Sequence, residues 1–375
     1  MDRRLFKNLD FTLLSVVGIL IALGLVMVFS ATHTNQYLTG NDPFAFVKRQ
    51  FVAVLVGILG MFLLLFTDYR LSERMSQFLY VVNILMLLLV IILPGTERNG
   101  AKSWLFFFQP SEFSKIILIV TFGKYLAEKD SLNSFVDFIG PFIYMGIPLL
   151  LILLQPDVGT ALVFIFFSFL MMYIAGAPGW KLLLVILAVI AAIALVFVAH
   201  HFWSAIPLPV KQYQIDRLTS FVDPKRDPQR SGWNLNQAII AVGSGQFFGK
   251  GLFHGTQGRL GFLPEHHTDF IFAILCEELG FVGGFAVLFL FFTLIWRGIR
   301  IALQAKDKTG SLIAVGIVAM LLFHILENAG MNIGLMPITG IPLPFISFGG
   351  TAMIANLLAM GLLSNIWARH QKIMF

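Results

Sequence analysis

The residues best suited to acid–base chemistry lie in one short run, Leu263–Phe270, with the sequence LPEHHTDF. Asp269 is followed at once by an apolar stretch, so it stands where a buried helix is predicted to begin. As an N-cap, it would accept a hydrogen bond from a free backbone N–H of that helix. As a general base, it would take a proton from a reacting hydroxyl group. The helix terminus lowers the pKa of such a carboxyl group and burial raises it, so both alternatives stay open.

Three further polar residues of this run, Glu265, His266 and His267, raise the question of a metal site. Adjacent histidines point in different directions, and their spacing does not match the paired histidines of a zinc-binding helix. A Mg²⁺ or Mn²⁺ ion shared between a carboxylate and a substrate diphosphate fits these residues better, because such ions commonly keep phosphate oxygens as ligands. We therefore predict no tightly bound cofactor, and the ligands of any divalent cation are left unassigned.

Charged residues also occur at the ends of other apolar stretches, where they are costly in a membrane and are candidates for function. Glu112 and Lys115 are three residues apart, so they share one face of a helix. They can form a local salt bridge, or they can anchor a polar ligand at the floor of a cavity. Asp157 lies in the run Gln155–Thr160, which is typical of a tight turn, and we interpret it as a turn and cap residue.

A second group of polar residues is predicted to be structural. Glu277 and Glu278 lie about 12 Å along the helix from Asp269. That is too far for a direct carboxylate pair, and we expect them to bind neighbouring loops. The segment Pro337–Phe345 is broken by proline and glycine. Irregular backbone at membrane depth is tolerated only where protein or a watery cavity surrounds it, so this segment is predicted to line the site. The structural polar residues predicted around it are Glu327, Asn332 and Ser347.

The composition indicates the kind of element that must position these residues. Of the 375 residues, 58% are hydrophobic and only 12% are charged, whereas a soluble domain carries about 25% charged residues. This excludes a water-soluble domain and predicts an all-α, polytopic integral membrane protein with a single domain, 1–375. A spanning helix needs about 20 mostly apolar residues. About ten such stretches occur, near 11–31, 51–67, 76–94, 112–127, 137–154, 159–176, 181–200, 269–297, 310–330 and 347–368.

The distribution of basic residues predicts the orientation of the chain, since short cytoplasmic loops are enriched in Lys and Arg. Most Lys and Arg of the tails and short loops fall on one side: Arg3, Arg4, Lys7, Arg70, Arg74, Lys124, Lys129, Lys181, Arg297, Arg300, Lys306, Lys308, Arg369 and Lys372. Both termini are therefore predicted to be cytoplasmic. One long loop, 201–268, then lies outside; it has a net positive charge and many aromatic residues. We expect it to be ordered and to suit an anionic ligand such as a phosphate.

Several motifs of the chain resemble those of the SEDS proteins (shape, elongation, division and sporulation). The matching runs follow one another along nearly the whole chain: Phe29–Thr32, Gln109–Phe113, Gln155–Thr160, Gly249–Gly251, Leu263–Phe272, Glu277–Glu278 and Gly340–Pro344. Members of this family polymerise lipid II into the glycan strands of peptidoglycan. Within the family, His254–Gln257 and the short polar tails favour the rod-shape branch, RodA, over the division branch.

The resemblance implies that Asp269 is the catalytic carboxylate of a peptidoglycan glycosyltransferase with its active site on the outer face of the cytoplasmic membrane. The 4-hydroxyl group of one lipid II would attack the anomeric carbon of the growing lipid-linked glycan with inversion, and undecaprenyl diphosphate would leave. The predicted cationic contacts to the diphosphate are Lys115, Arg217, Lys250 and Arg259. The other predicted substrate contacts are Glu112, Gln257, Glu265, His267 and Thr268.

Two other functions are considered beside the enzyme: a lipid II flippase and a non-enzymatic scaffold for a transpeptidase. A flippase needs a polar path across the whole membrane, but the ionisable residues of the predicted helices gather toward one side. This favours the enzyme. The resemblance also implies a class B penicillin-binding protein and the elongation machinery as partners. No nucleic-acid partner is expected.

Overall fold

The computed structural model describes residues 9–33, 42–93, 96–98, 101–104, 108–202, 212–223 and 231–369. It confirms the all-α, multi-pass architecture, because each of the ten predicted stretches lies on a long helix. In chain order the helices are α1 (Phe11–Thr32), α2 (Ala45–Phe66), α3 (Tyr69–Arg74), α4 (Ser76–Ile92), α5 (Pro110–Ala127), α6 (Ile139–Leu154), α7 (Val158–Ile174), α8 (Gly179–Phe202), α9 (Gln212–Val222), α10 (Ser231–Ser244), α11 (Thr256–Arg259), α12 (Ile271–Gln304), α13 (Lys308–Asn332) and α14 (Gly350–Ala368).

The helices differ in how well they suit a membrane crossing. Seven segments in the described part are long and apolar enough to span: α1, α2, α6 with its preceding 3-10 turn, α8, α12, α13 and α14. Two more helices, α4 and α7, are apolar but shorter. The tenth, α5, carries Glu112, Lys115 and Lys124. The presence of many spans is thus established, and the count of ten stays a prediction.

Three details differ from the sequence-based prediction. A two-stranded antiparallel hairpin, β1 (Thr96–Arg98) and β2 (Ala101–Trp104), follows α4. The long connection predicted over 201–268 begins after Phe202, ends at Phe270 and contains the short helices α9, α10 and α11. The last helix begins at Gly350 rather than at 347, because residues 341–349 have irregular backbone. The rest of the long connection, 203–211 and 224–230, lies outside the described residues.

The core of the bundle is formed by its last two helices. Of the most apolar window in each helix, 72% of the residues are buried in α13 and 78% in α14, against only 6% in α8. Helix α13 packs against α5, α7 and α12, and α14 packs against α2. Residues on α13 therefore face protein on nearly every side, and its polar side chains must find protein partners or a ligand.

Helix α12 is broken in its first third, and a loop fills the break. Gly280 has a φ of 67° inside the helix, which interrupts the helical hydrogen bonds around it. The backbone of the loop replaces them. Lys250 and Gly251 donate to the carbonyls of Glu277 and Glu278, and the carbonyls of Gln246 and Phe247 accept from Phe281 and Val282. The loop 246–251 is therefore built into the helix, as is typical where backbone inserts into a helical ladder.

Candidate functional site

The backbone around Asp269 is held by two other parts of the chain. The side-chain amide of Asn328 donates to the Asp269 carbonyl at 2.8 Å, and that of Asn332 donates to it at 3.2 Å. The Ser347 hydroxyl donates to the carbonyl of Thr268 at 2.6 Å. These contacts from α13 and from the irregular segment before α14 fix the position of the Asp269 main chain.

The side chain of Asp269 does not cap the following helix. Helix α12 begins at Ile271, its N-cap residue is Phe270, and no side-chain cap bond is formed there. The cap alternative for Asp269 is thus excluded. Burial, together with the charge of Glu265, raises the pKa of Asp269 to about 6, although Arg217 and a hydrogen bond from Thr268 oppose the shift. A carboxyl group with such a pKa is deprotonated near neutral pH and is still basic enough to take a proton.

A tight glycine turn brings a guanidinium group close to Asp269. Gly340 has a φ of 80°, and a Cβ atom placed on it would lie 3.3 Å from Asp269 Oδ2 and 3.9 Å from Arg217 Nη1. Arg217, which is half-buried on α9, also donates to the carbonyl of Thr339 at 3.2 Å. A side chain at position 340 would be both strained and crowded. The glycine therefore permits the approach of the base, the cation and the irregular segment.

A second carboxyl group, Glu327, lies on the other side of this turn. It is 2% exposed, and neither of its oxygens has a hydrogen-bond partner among the described residues. The Thr339 hydroxyl is adjacent but is also without a bond of ordinary geometry. The charges of Asp269 and Arg217 both act on Glu327. We call the group Asp269, Arg217, Glu327, Thr339 and Gly340 the Asp269 site.

Lys115 is a buried lysine of α5 that lies beside α13, where it contacts His324, about one helical turn before Glu327. Lys115 Nζ donates to Glu112 Oε1 at 2.8 Å and to His324 Nε2 at 3.0 Å. His324 Nδ1 lies 2.7 Å from the Met320 carbonyl, so that nitrogen carries the proton and Nε2 can accept. The local salt bridge predicted for Glu112 and Lys115 is therefore present. His324 completes the hydrogen bonds of the lysine without adding a second negative charge.

Asp157 lies close to this lysine but makes the bonds of a helix cap. Its Oδ1 accepts from the Thr160 backbone N–H at 3.0 Å and its Oδ2 from the Thr160 hydroxyl at 2.9 Å, at the start of α7. Burial raises the pKa of Asp157, and the charges of Glu112 and Lys115 also act on it. The geometry is that of the turn and cap residue predicted from the sequence.

Glu277 and Glu278 hold a loop rather than a ligand, and we call these two residues the carboxylate clamp. Glu277 accepts from Lys250 Nζ at 2.6 Å and from the backbone and hydroxyl of Thr256 at 2.8 and 2.7 Å. Glu278 accepts from the Ser30 hydroxyl at 2.6 Å. It also accepts from the backbone N–H groups of two loop residues, Phe253 and Gly255.

Several residues predicted to contact substrate are occupied elsewhere in the structure. The charge of Lys250 is paired with the clamp. The backbone N–H of Gln257 donates to Glu277, whereas its side-chain Oε1 has no hydrogen-bond partner among the described residues. His267 packs its ring against Phe46 and Phe348. Burial and the neighbouring His266 lower the pKa of His267 to about 4, so it carries no charge at neutral pH. Arg259 is exposed on α11, and Glu265 accepts a bond from Thr268.

One residue that the sequence-based prediction did not assign to the site, Asn328, is brought to it by the fold. Asn328 binds the carbonyls of both Asp269 and Ile341, each at 2.8 Å. It precedes Asn332 by one helical turn, and this spacing was the available signal for a shared polar face. Gly340 belongs to the segment Pro337–Phe345, which the sequence predicted to line the site. Its contact with Asp269 depends on a chain reversal that no local pattern reveals.

The described residues offer no resident metal centre. No group of three or more His, Cys, Asp or Glu side chains converges among them. The Asp269 site itself contains two carboxyl groups, Asp269 and Glu327, and two carboxyl groups alone do not complete the six or more oxygen ligands of Mg²⁺ or Ca²⁺.

Comparisons with known proteins identify the family of this chain. The model of the FtsW/RodA/SpoVE family, described as cell cycle protein, matches residues 11–372. The stage V sporulation protein E of Bacillus subtilis (strain 168) is 39% identical over 365 residues, which cover 95% of this chain and 96% of that protein. A probable peptidoglycan glycosyltransferase FtsW of Geobacter sp. (strain M18) is 35% identical over 98% of both chains.

Two solved structures share the fold. A chain from a study of how a peptidoglycan synthase complex coordinates polymerization and crosslinking matches with a TM-score of 0.78 and 31% identity, over 96% of this chain and 98% of that one. The rod shape determining protein RodA of Thermus thermophilus matches with a TM-score of 0.70 and 29% identity, over 97% and 98%. The family model matches residues 11–372, and the relatives cover nearly the whole chain. The chain therefore belongs to the FtsW/RodA/SpoVE family, the SEDS proteins.

Proposed function

We propose that this protein is a peptidoglycan glycosyltransferase that polymerises lipid II on the outer face of the cytoplasmic membrane. The observation that carries the proposal is Asp269, a carboxyl group that caps no helix, has a pKa raised to about 6 and faces a guanidinium group. The relatives named as probable glycosyltransferases match over nearly the whole chain, which supports the same activity here.

In the proposed reaction, Asp269 removes the proton from the 4-hydroxyl group of the acceptor saccharide. The hydroxyl oxygen forms a bond to the anomeric carbon of the lipid-linked donor, and the bond from that carbon to the diphosphate oxygen breaks. The configuration inverts in this single displacement. The diphosphate leaves with the electron pair and needs no proton, while Asp269 keeps the proton until it returns to solvent.

Arg217 and Lys115 are the cations proposed to stabilise the leaving diphosphate. Arg217 is beside the base, where its planar group can donate two hydrogen bonds to phosphate oxygens. Lys115 is 2% exposed and is held by Glu112 and His324, so its charge is fixed in position before substrate binds. Fixed charges aimed at a developing anion are the largest usual contribution of an enzyme to rate. A Mg²⁺ or Mn²⁺ ion, if required, would arrive with the diphosphate.

The proposal extends to the cellular role of the protein and to its partners. We propose a role in cell elongation, from the RodA-like run His254–Gln257, with a class B penicillin-binding protein and the elongation machinery as partners. A matching chain was solved within a study of a peptidoglycan synthase complex, which supports a partnered polymerase. Expression in strains lacking the rod-shape, division or sporulation member of the family tests the role. Rescue of the division or sporulation strain alone would contradict it.

The proposed orientation places both termini in the cytoplasm and the long connection outside. A cysteine at the exposed position Asn236 on α10 should react with a membrane-impermeant maleimide on intact cells. The native Cys276 is buried and serves as the unlabelled background. Labelling only after permeabilisation would show that the orientation is the opposite of the proposed one.

The activity itself is tested with purified protein and lipid II, with and without a class B penicillin-binding protein. Formation of glycan polymer, seen as a ladder on gels and removed by a muramidase, is the expected result. A flippase would instead move labelled lipid II across vesicles without making polymer. A scaffold would bind the transpeptidase and do neither.

A further inference from the structure

Glu327 is a buried acid that the proposed reaction does not use. It lies on α13, three residues after His324 and directly before Asn328, in the buried core of the bundle. A buried carboxylate normally accepts several hydrogen bonds, because leaving it without them costs free energy. Glu327 is 2% exposed, and both of its oxygens lack a partner among the described residues.

The segment Thr339–Gly340 joins this acid to the catalytic group. Thr339 presents its hydroxyl toward Glu327 and its carbonyl to Arg217, at 3.2 Å. The next residue, Gly340, lies against Asp269 Oδ2. Glu327 and Asp269 thus flank one turn, and the charges of Asp269 and Arg217 both act on Glu327. Glu327 belongs to the reaction site rather than to a separate structural cluster.

The cations and the carboxyl groups of the site suit different parts of a lipid-linked substrate. Arg217 and Lys115 attract phosphate, whereas a carboxylate repels phosphate and binds groups that donate a proton. The saccharide part of a lipid-linked substrate is rich in such donors, namely hydroxyl groups and acetamido N–H groups. An acid whose oxygens have no partner among the described residues is therefore matched to the sugar and not to the diphosphate.

We propose that Glu327 is a saccharide-recognition residue, whose carboxylate accepts hydrogen bonds from hydroxyl or acetamido N–H groups of the sugar that faces Asp269. This inference rests on the proposed glycosyl transfer. It adds a second acid to the site, with a role in holding the saccharide rather than in moving a proton.

Two ligands separate this role from a purely structural one. Lipid II carries the saccharide, the diphosphate and the lipid, whereas undecaprenyl diphosphate carries only the last two. Glu327→Ala should raise the KM for lipid II by roughly 10- to 100-fold, as expected for lost hydrogen bonds to a charged group. Inhibition by undecaprenyl diphosphate should change by no more than about twofold, since a typical mutational effect on an unrelated contact is small. Arg217→Ala should instead weaken the binding of both ligands, because both carry the diphosphate that Arg217 is proposed to bind.

Glu327→Gln is the second variant, because it keeps the volume of the side chain and one acceptor oxygen. It should fold like the wild type and raise the KM for lipid II less than Glu327→Ala does. It also replaces Glu327→Ala if that variant fails to fold. Binding of both ligands is measured directly by displacement of a fluorescent lipid II, so the inference can be tested even if the protein forms no polymer.

Three results would overturn the inference. The first is an equal loss of affinity for lipid II and undecaprenyl diphosphate in Glu327→Gln, which would indicate a structural role. The second is an unchanged KM with a lowered kcat and a shifted pH profile, which would make Glu327 part of the proton transfer. The third is unchanged kinetics in both variants. Absence of polymer with the wild type, while lipid II still binds through Glu327, would contradict the proposed function alone.

Discussion

Two pairs of acids lie at the same end of this bundle and differ in how many partners they have. Glu277 and Glu278 of the carboxylate clamp are 0% and 2% exposed, and Glu327 is 2% exposed. The two clamp residues each accept bonds from at least three donors of other segments. Glu327 accepts none from the described residues, and the side chain of Asp269 caps no helix.

Under the proposed function, the number of hydrogen-bond donors, and not burial, separates the structural acids from the acids assigned to the reaction. A carboxylate with several protein donors is fixed in its charged state and position, so binding a substrate would require breaking those bonds. A carboxylate with few donors can accept a proton or a hydrogen bond from a ligand without such a loss. The clamp should therefore support stability, and the Asp269 site should support turnover.

The strongest test of this comparison is Asp269→Asn. The amide has nearly the size of the carboxylate but cannot take a proton at neutral pH, so polymerisation of lipid II should fall by about 10²–10⁴-fold. The backbone contacts of Asn328, Asn332 and Ser347 to this segment do not involve the side chain of residue 269. Thermal unfolding in detergent should therefore stay close to that of the wild type.

A matched control is Glu128→Gln, an acid near the far end of α5 that forms only a long ion pair with Lys124. It should leave polymerisation unchanged. Near wild-type polymerisation by purified Asp269→Asn would remove Asp269 from the chemistry and would make burial alone the reason for its raised pKa.

The second test addresses the clamp with Glu278→Ala. The Ser30 hydroxyl and the backbone N–H groups of Phe253 and Gly255 would lose their acceptor. Each buried group left without a partner costs about 1–3 kcal/mol, less whatever water recovers. The unfolding temperature should fall by several degrees, whereas the KM of the remaining folded protein for lipid II should stay the same. Glu278→Gln, which keeps an acceptor oxygen, should lose less stability.

The fold could be predicted from the sequence because the apolar stretches that determine it are continuous along the chain. Apolar stretches of about 20 residues have few stable alternatives in a membrane, and all ten lie on helices in the structure. The predicted ends of the helices were less accurate where phenylalanines and glycines continue an apolar stretch beyond the helix itself. The start of α14 at Gly350 is one such case, since Ser347 binds the Thr268 carbonyl instead of entering the helix.

The division of the acids into two pairs could be predicted only in part. The expectation that Glu277 and Glu278 bind loops followed from their distance from Asp269, but the fate of Lys250 did not. Lys250 precedes Glu277 by 27 positions, and only the break at Gly280 folds its loop onto the helix. The absence of donors around Glu327 is likewise a property of the packing, because the neighbours of Glu327 come from distant parts of the chain.

The third prediction concerns pH. A base must be deprotonated to act, so an Asp269 pKa of about 6 predicts full activity above pH 7 and a loss as the pH falls through 6. At pH 5 the value of kcat/KM should be lower by roughly tenfold, the change in the deprotonated fraction for one pH unit below the pKa. The profile should be measured from pH 4 to 8. An acidic limb near pH 4, the ordinary value of an aspartate, would show that burial does not act on Asp269 in the working enzyme.

The smallest expected effect belongs to Lys250, the cation of the clamp. Its side chain is 30% exposed and its ammonium group lies 2.6 Å from Glu277, so water screens the pair and its contribution to stability is about 0.2–1 kcal/mol. In Lys250→Gln, Glu277 keeps its bonds from Thr256 and Gln257. The unfolding temperature should therefore fall by only a few degrees at most.

The kinetics of Lys250→Gln show whether Lys250 serves the carboxylate clamp or contacts the substrate. If its charge serves the clamp, the KM for lipid II and the inhibition by undecaprenyl diphosphate should stay within about twofold of the wild type, as for a surface substitution. Arg217→Ala, measured in parallel, should weaken that inhibition by roughly tenfold or more, because it removes a charge-assisted bond to phosphate. A similar loss in Lys250→Gln would mean that the loop 249–257 leaves the clamp when the diphosphate binds. Lys250 would then contact the substrate, as predicted from the sequence, and the bonds to Glu277 would belong only to the empty site.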